Sequence, residues 1–182
     1  MKEIIGLCGY AGSGKDTAAA HMPGWTRVSF ADGVREVALA IDPIVYFFGI
    51  NPTPQRLSEF VNSVGWDHAK KEPETRRLLQ RVGTEAGRNI LGEHVWVNLA
   101  ARKIGDIEGP AVITDCRFPN EVNAIKALGG FIIRIKRPGI GPVNDHPSET
   151  AIDHIEADAE VVNDGTPEEL GAKVLAALTI NA

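Results

Sequence analysis

Gly9-Tyr10-Ala11-Gly12-Ser13-Gly14-Lys15-Asp16-Thr17 is the stretch from which the rest of the chain can be read. The apolar run Ile4-Ile5-Gly6-Leu7-Cys8 before it reads as a buried strand, and Thr17-Ala18-Ala19-Ala20-His21-Met22 after it reads as a helix. Gly9, Gly14 and Lys15 stand at the spacing of a phosphate-binding loop. Glycines there let consecutive N–H groups, around Gly12, Ser13 and Gly14, turn inward about a polyphosphate. The helix start adds partial positive charge, and Lys15 reaches the outer phosphates as a mobile cation. A glycine-rich turn alone marks turns of every kind. Strand, helix and Gly-Lys pair together predict a nucleoside triphosphate site. Asp16 stands where a Ser or Thr hydroxyl usually touches Mg²⁺, and Thr17 follows it; the metal is expected on Asp16, directly or through water, or on Thr17.

The chain has 182 residues, 43% of them hydrophobic, enough to bury one core and short enough to be one domain. No apolar run has the length to cross a bilayer, and the N-terminus lacks a basic region followed by a long apolar block, so neither a membrane protein nor a secreted precursor is expected. Two cysteines, Cys8 and Cys116, offer no disulfide framework or metal-ligand spacing, and a reducing cytoplasm is the expected setting. A net charge of −5 argues against binding a nucleic-acid polymer, which needs a basic face to displace counterions.

Thr26 to Phe30 reads as a second strand, and a helix is expected from Asp32, its candidate cap, with Arg35 one turn in. Arg35 is either a solvated surface arginine or a ligand group at the carboxyl edge of the sheet, where ligands of open α/β folds collect. Ile41 to Lys71 is too long for a plain crossover. It holds three prolines, the cluster Tyr46-Phe47-Phe48 and a helix predicted from Pro54 to Val64, and so reads as an insertion. Trp66 there either stacks on a base or fills core.

Pro73 to Ile90 has helical periodicity, with Leu78, Leu79, Val82, Ala86 and Ile90 as the apolar stripe and Arg81, Glu85 and Arg88 together on another face. That face is either an ion-pair ladder or a binding surface. Gly83 and Gly87 each cost a helix about 1 kcal/mol relative to alanine, which implies that something passes close by. A further helix, Glu93 to Ile104, carries Trp96.

Pro110 to Asp115 is a strand ending in a carboxylate, placed to hold Mg²⁺, to orient an attacking group or to cap the next helix. Arg117 offers a planar fork of donors suited to phosphate. Phe131 to Lys136 is the fourth strand, carrying Arg134, and Arg137-Pro138 begins a Gly- and Pro-rich loop that runs to Asp145-His146-Pro147-Ser148-Glu149 and reads as a lid. A short helix is expected up to Ile155. Glu160 to Asn163 is the fifth strand, Asn163-Asp164-Gly165 the loop after it, and Thr166-Pro167-Glu168-Glu169 a capping box that starts the last helix. Asn163 is placed to meet the adenine.

Several blocks, in order and nearly end to end, carry a resemblance: Gly9 to Thr17, Ser29-Phe30-Ala31-Asp32 with Arg35, Leu78 to Glu85 with Arg88, Asp115-Cys116-Arg117-Phe118-Pro119-Asn120-Glu121, Asp145 to Glu149, and Asn163 to Thr166. The chain resembles the deoxynucleoside monophosphate kinases of bacteriophages, and in that family too an Asp follows the loop lysine. The resemblance implies an α/β P-loop NTPase fold: a five-stranded parallel sheet with helices on both faces, its core over 1–40, 105–137 and 156–182. A helical acceptor-binding insertion is implied over about 41–104 and a lid over about 137–155. Implied partners are ATP with Mg²⁺ as the donor system and a deoxynucleoside monophosphate as acceptor, with a homodimer suggested.

By matching position, Lys15 would hold the transferring phosphate, Asp115 would act near metal or acceptor, and Arg117 and Arg137 would neutralise charge. Phe30, Arg35, Lys70, Glu85 and Arg88, with Trp66 and Trp96, would line the acceptor pocket. Arg134, His146, Ser148 and Glu149 would belong to the lid. The alternatives are a kinase of another small acceptor, such as dephospho-coenzyme A, and a nucleotide-dependent switch. For the switch, Asp106-Ile107-Glu108-Gly109 fits only loosely and no Asn-Lys-x-Asp block exists.

Overall fold

The computed structural model describes residues 2–45, 54–142 and 151–181. In chain order the strands are β1 (Ile4–Cys8), β2 (Thr26–Val28), β3 (Ile44–Val45), β4 (Gln55–Arg56), β5 (Ala111–Cys116), β6 (Phe131–Lys136) and β7 (Ala159–Val162). The helices are α1 (Lys15–Ala20), α2 (Phe30–Ile41), α3 (Leu57–Val64), α4 (Trp66–Ala69), α5 (Pro73–Gln80), α6 (Val95–Asp106), α7 (Pro119–Ala127) and α8 (Pro167–Asn181). A π-helix, Arg81–Leu91, continues α5, and a 3₁₀ turn, Ala151–His154, precedes β7. The chain divides into two compact units, Met1–Phe30 with Leu99–Ala182, and Ala31–Asn98.

The first unit is built on a sheet in the order β2-β5-β1-β6-β7, every pairing parallel. β1 is buried throughout and β5 from Ala111 to Thr114, apolar but for that threonine, because both faces are covered. Ile5, Leu7, Val112, Ile133 and Ile135 meet Ala18, Ala19 and Met22 at α1 and Leu170 and Val174 of α8. Each isoleucine or leucine buried there contributes about 2 kcal/mol. On the other face Ile125 of α7 lies so close to β1 that a Cβ on Gly6 would sit 2.6 Å from its Cδ1, so this strand position admits only glycine without repacking. Parallel strands put all their carboxyl ends at one edge. The phosphate loop, Ser29, Asp115, Arg137 and Asn163 therefore all leave the sheet on that side.

Two boundaries of this unit differ from the sequence reading. β2 ends at Val28 rather than Phe30, since Ser29 and the Phe30 N–H are drawn to Asp115 on β5. α2 consequently starts at Phe30, and Asp32 lies inside its first turn, paired with Arg35, instead of capping it. The capping box of α8 forms as its sequence requires: Thr166 N–H donates to Glu169 Oε2 (2.8 Å) and Glu169 N–H to Thr166 Oγ1 (3.2 Å).

In the second unit Ala38, Val45 and Leu57 are the core, with Val61, Trp66, Leu78 and Leu79 packed on them. The helix expected from Pro54 begins at Leu57, because Gln55 and Arg56 are extended against Val45 and Ile44. The helix expected over 73–90 is α only to Gln80 and π from Arg81. The wider i→i+5 turn moves the inward position from Ala86 to Gly87: Val82 and Gly87 are buried, Ala86 is exposed and Ile90 is 78% exposed. The predicted stripe thus holds as far as Val82 and then breaks. What passes close by Gly87 is the Trp96 indole, whose N–H also donates to the Gly83 carbonyl (2.7 Å); a Cβ on Gly83 would meet the Val34 methyls in ordinary contact, at 3.5 and 3.6 Å.

Candidate active site

Gly9, Gly12 and Gly14 take φ of 140°, 79° and 105°, values a side chain resists. At Gly14 the need is double, since a Cβ would also overlap the Asn163 amide. The loop is closed by the Ser13 N–H on the Tyr10 carbonyl (3.1 Å) and joined to α1 by the Ala18 N–H on the Gly14 carbonyl (2.8 Å). Lys15 is 7% exposed. Its Nζ donates to the carbonyls of Gly9 (2.6 Å) and Tyr10 (2.8 Å), so the charge is folded into the loop. Asn163, from the end of β7, donates through Nδ2 to the Ser13 carbonyl (2.9 Å). Its amide thus braces the loop from behind.

Asp16 is exposed and its Oδ1 accepts from Arg27 Nη2 at 2.6 Å, while Arg27 Nε donates to Thr114 Oγ1 at 3.3 Å. Nothing in the sequence marks Arg27, the exposed middle residue of the short strand β2. Among the described residues no group of three or more His, Cys, Asp or Glu is set to hold a metal unaided. The donors present suit Mg²⁺ all the same, because that ion keeps most of its waters and takes one or two protein oxygens together with phosphate oxygens. Asp16 and Thr17 are both exposed in the first turn of α1 and have that character.

Asp115 is half-buried and spends both oxygens on the β2–α2 turn: Ser29 Oγ donates to Oδ2 (2.6 Å) and Phe30 N–H to Oδ1 (2.9 Å). It ties the start of α2 to the sheet rather than capping α7. That second task falls to Glu121, 3% exposed, whose Oε2 accepts the N–H groups of Arg117 (2.8 Å) and Phe118 (3.0 Å). Glu121 fixes the backbone from which the Arg117 guanidinium springs. Its only signal in the sequence is a glutamate in the first turn of a helix that Pro119 opens. Cys116 lies beside Cys8 in the register of β5 and β1, and both thiols are buried and free. Burial pushes Cys116 well above its usual range, and Glu121, Cys8 and Asp115 add to that; burial also raises Cys8, less so because Arg134 and Lys15 favour its thiolate.

Beside the loop lies a cavity of about 480 Å³, lined by Gly9, Tyr10 and Ser13 on one side and by Arg134, Arg137, Ile140, Ile152 and Asp153 among others. Tyr10 Oη donates to Asp153 across it. Arg134 donates to the carbonyls of Ile152 and Ile155, anchoring the 3₁₀ turn, and Arg137 Nη1 reaches the Gly12 carbonyl at 3.4 Å. His146, Ser148 and Glu149, expected in the lid, lie outside the described residues. In the first unit, therefore, Lys15, Asp16, Asn163, Arg134 and Arg137 gather around the loop and its cavity, and Phe30 is buried next to the Asp115 link.

In the second unit Arg35 pairs with Asp32 (3.3 Å) and lays its guanidinium over the Trp66 ring, 5.8 Å from the centroid. Trp66 is half-buried on the small core, so its other surface is spent on packing. Lys70 pairs with Asp67 (2.7 Å) and Arg81 with Glu85 (3.2 Å), both in solvent. Arg88 is half-buried, unlike Arg81 and Glu85, and so does not share their face. Trp96, expected to line the acceptor pocket, is 4% exposed and buried against Gly87; it has no ring face to offer a ligand.

Comparison with known proteins bears on the same residues. The sequence model of the family described as deoxynucleotide monophosphate kinase matches residues 54–174. A mimivirus protein of that description, from Acanthamoeba polyphaga mimivirus, is 31% identical over 94% of each chain. The deoxynucleoside-5′-monophosphate kinase of Escherichia phage T5 is 28% identical over 90% of each. The deoxynucleotide monophosphate kinase of Escherichia phage RB69 is 33% identical over 54% of this chain and 42% of its own length. Among solved structures, shikimate kinase from Aquifex aeolicus superposes with a TM-score of 0.52 at 15% identity, covering 98% of this chain and 97% of that one, a likeness of fold.

Proposed function

This chain belongs to the deoxynucleotide monophosphate kinase family, and on that premise we propose that it transfers the γ-phosphoryl group of ATP to a deoxynucleoside 5′-monophosphate, releasing ADP and the deoxynucleoside diphosphate. The observation that carries the reading is the finished phosphate loop, with Lys15 buried inside it, Asn163 behind it and an arginine-walled cavity of about 480 Å³ beside it. That cavity suits the nucleoside of ATP.

Phosphoryl transfer asks little covalent chemistry of a protein; it asks for positioning and for charge where charge moves. An oxygen of the acceptor's phosphate attacks the γ-phosphorus, the bond to the β–γ bridging oxygen breaks, and ADP keeps that electron pair. Lys15 exchanges the Gly9 and Tyr10 carbonyls for phosphate oxygens, a short swing of one flexible chain. Mg²⁺, when bound, offsets charge on the phosphates, and Asp16 or Thr17 would hold it. Arg117 and Arg137 supply fixed positive charge to the equatorial oxygens as they gain it. Asp115 keeps the β2–α2 turn in place, and its role near metal or acceptor is part of the proposal. Arg35, Lys70 and Arg88, with Trp66, bind the acceptor. Arg134 and Arg137, at the start of the stretch read from the sequence as a lid, stand beside the loop, where water has to be kept out because it would otherwise take the phosphate. No described helix is long and apolar enough to cross a membrane. A homodimer in the cytoplasm completes the proposal.

The test is an acceptor panel. With purified protein and MgATP, ADP release is expected with one or more deoxynucleoside monophosphates and not with dephospho-coenzyme A or small metabolites. Activity confined to a pantetheine-bearing acceptor contradicts the proposal.

A further inference from the structure

The π segment Arg81–Leu91 is a feature that the proposed function leaves without a purpose. π-helical turns are rare but frequent at functional sites, and this one runs for 11 residues. Trp96 meets it in two ways. Its Nε1 donates to the Gly83 carbonyl at 2.7 Å, and its indole fills the space over Gly87, where a Cβ would sit 2.6 Å from Cε2 and 2.7 Å from Nε1. In i→i+5 bonding the Gly83 carbonyl also receives the N–H of Arg88. One indole thus fixes both the acceptor of the Arg88 amide and the residue before Arg88. With α spacing throughout, Arg88 would fall on the face of Arg81 and Glu85, which pair with each other in solvent. The π register takes it off that face, where it is half-buried.

Resting on the assignment of Arg88 to the acceptor, we propose that Trp96 is a positioning residue: it touches no nucleotide, and it sets acceptor affinity by holding the π register that aims Arg88. The N–H and the ring have separable roles, so Trp96→Phe, which keeps a ring and deletes the donor, is the sharpest test. Its KM for the deoxynucleoside monophosphate is expected to rise about fivefold to tenfold, the effect of one hydrogen bond, with KM for ATP unchanged. Gly87→Ala, whose methyl displaces the indole, is expected to give the same split, and serves if the first variant does not fold. Either variant losing only thermal stability, or raising both KM values together, overturns the proposal. Arg88→Ala separates the two layers. If it leaves acceptor KM unchanged, the assignment of Arg88 fails; if it raises acceptor KM while Trp96→Phe does not, only the role of Trp96 fails.

Discussion

Lys15 donates its ammonium to two carbonyls of its own loop, and this contact neither spans elements nor builds core. Lys15→Ala is therefore expected to lower kcat by about 10²-fold or more while the thermal midpoint moves little; equal losses in both would make Lys15 structural. Asn163 differs because its amide reaches the loop from β7. Asn163→Leu keeps the bulk and loses the donor, so KM for ATP is expected to rise with acceptor KM unchanged, measured under saturating second substrate. Asp16 already holds one cation, Arg27, at 2.6 Å, as a metal-facing carboxylate would. Asp16→Ala is expected to raise the Mg²⁺ concentration needed for tight ATP binding by titration calorimetry, and Thr17→Ala less so. No change in either removes this turn from metal binding.

The buried thiols set a pH limit. In the folded state Cys116 resists ionisation, first through burial and then through Glu121, Cys8 and Asp115, whereas the unfolded thiol titrates near 9.0. Stability is thus complete below that value and falls as pH rises above it. Urea midpoints at pH 8 and pH 10 are expected to show this decline, and Cys116→Ala to reduce its slope; an unaltered slope would contradict it.

At the level of elements, short-range signals are legible in the sequence and long-range ones are not. β1, the phosphate loop, β6 and the α8 capping box follow from local pattern, because each is decided by residues within a few positions of one another. Thr166→Ala is accordingly expected to cost about 1 kcal/mol in chemical denaturation. The early end of β2 and the start of α2 at Phe30 depend on Asp115, 85 positions away from Phe30, and no local rule reports that bond. The π register hid for a related reason. Gly87 marks a close approach, but only the partner's identity, Trp96, tells that the turn widens and that Ala86 gives way to Gly87. Arg27 and Glu121 were missed because their significance lies in contacts with Asp16 and with two backbone N–H groups, not in residue type.

For the molecule as a whole, a net charge of −5 coexists with Lys15 in the phosphate loop and Arg134, Lys136 and Arg137 around one cavity, which suits a protein that binds small anions rather than a nucleic-acid polymer. The sheet order places every loop of the donor site at one edge, and the family match extends over residues 54–174, which include the whole π segment and the Arg117 and Asn163 loops. Both facts converge on transfer of a phosphoryl group between nucleotides. The most direct check follows the phosphorus itself: ATP labelled at the γ position is incubated with the protein, Mg²⁺ and each deoxynucleoside monophosphate in turn, and the products are separated. The label is expected in a deoxynucleoside diphosphate, in amounts equal to the ADP formed. Label that appears only as inorganic phosphate, or stays in ATP with every deoxynucleotide offered, contradicts the account.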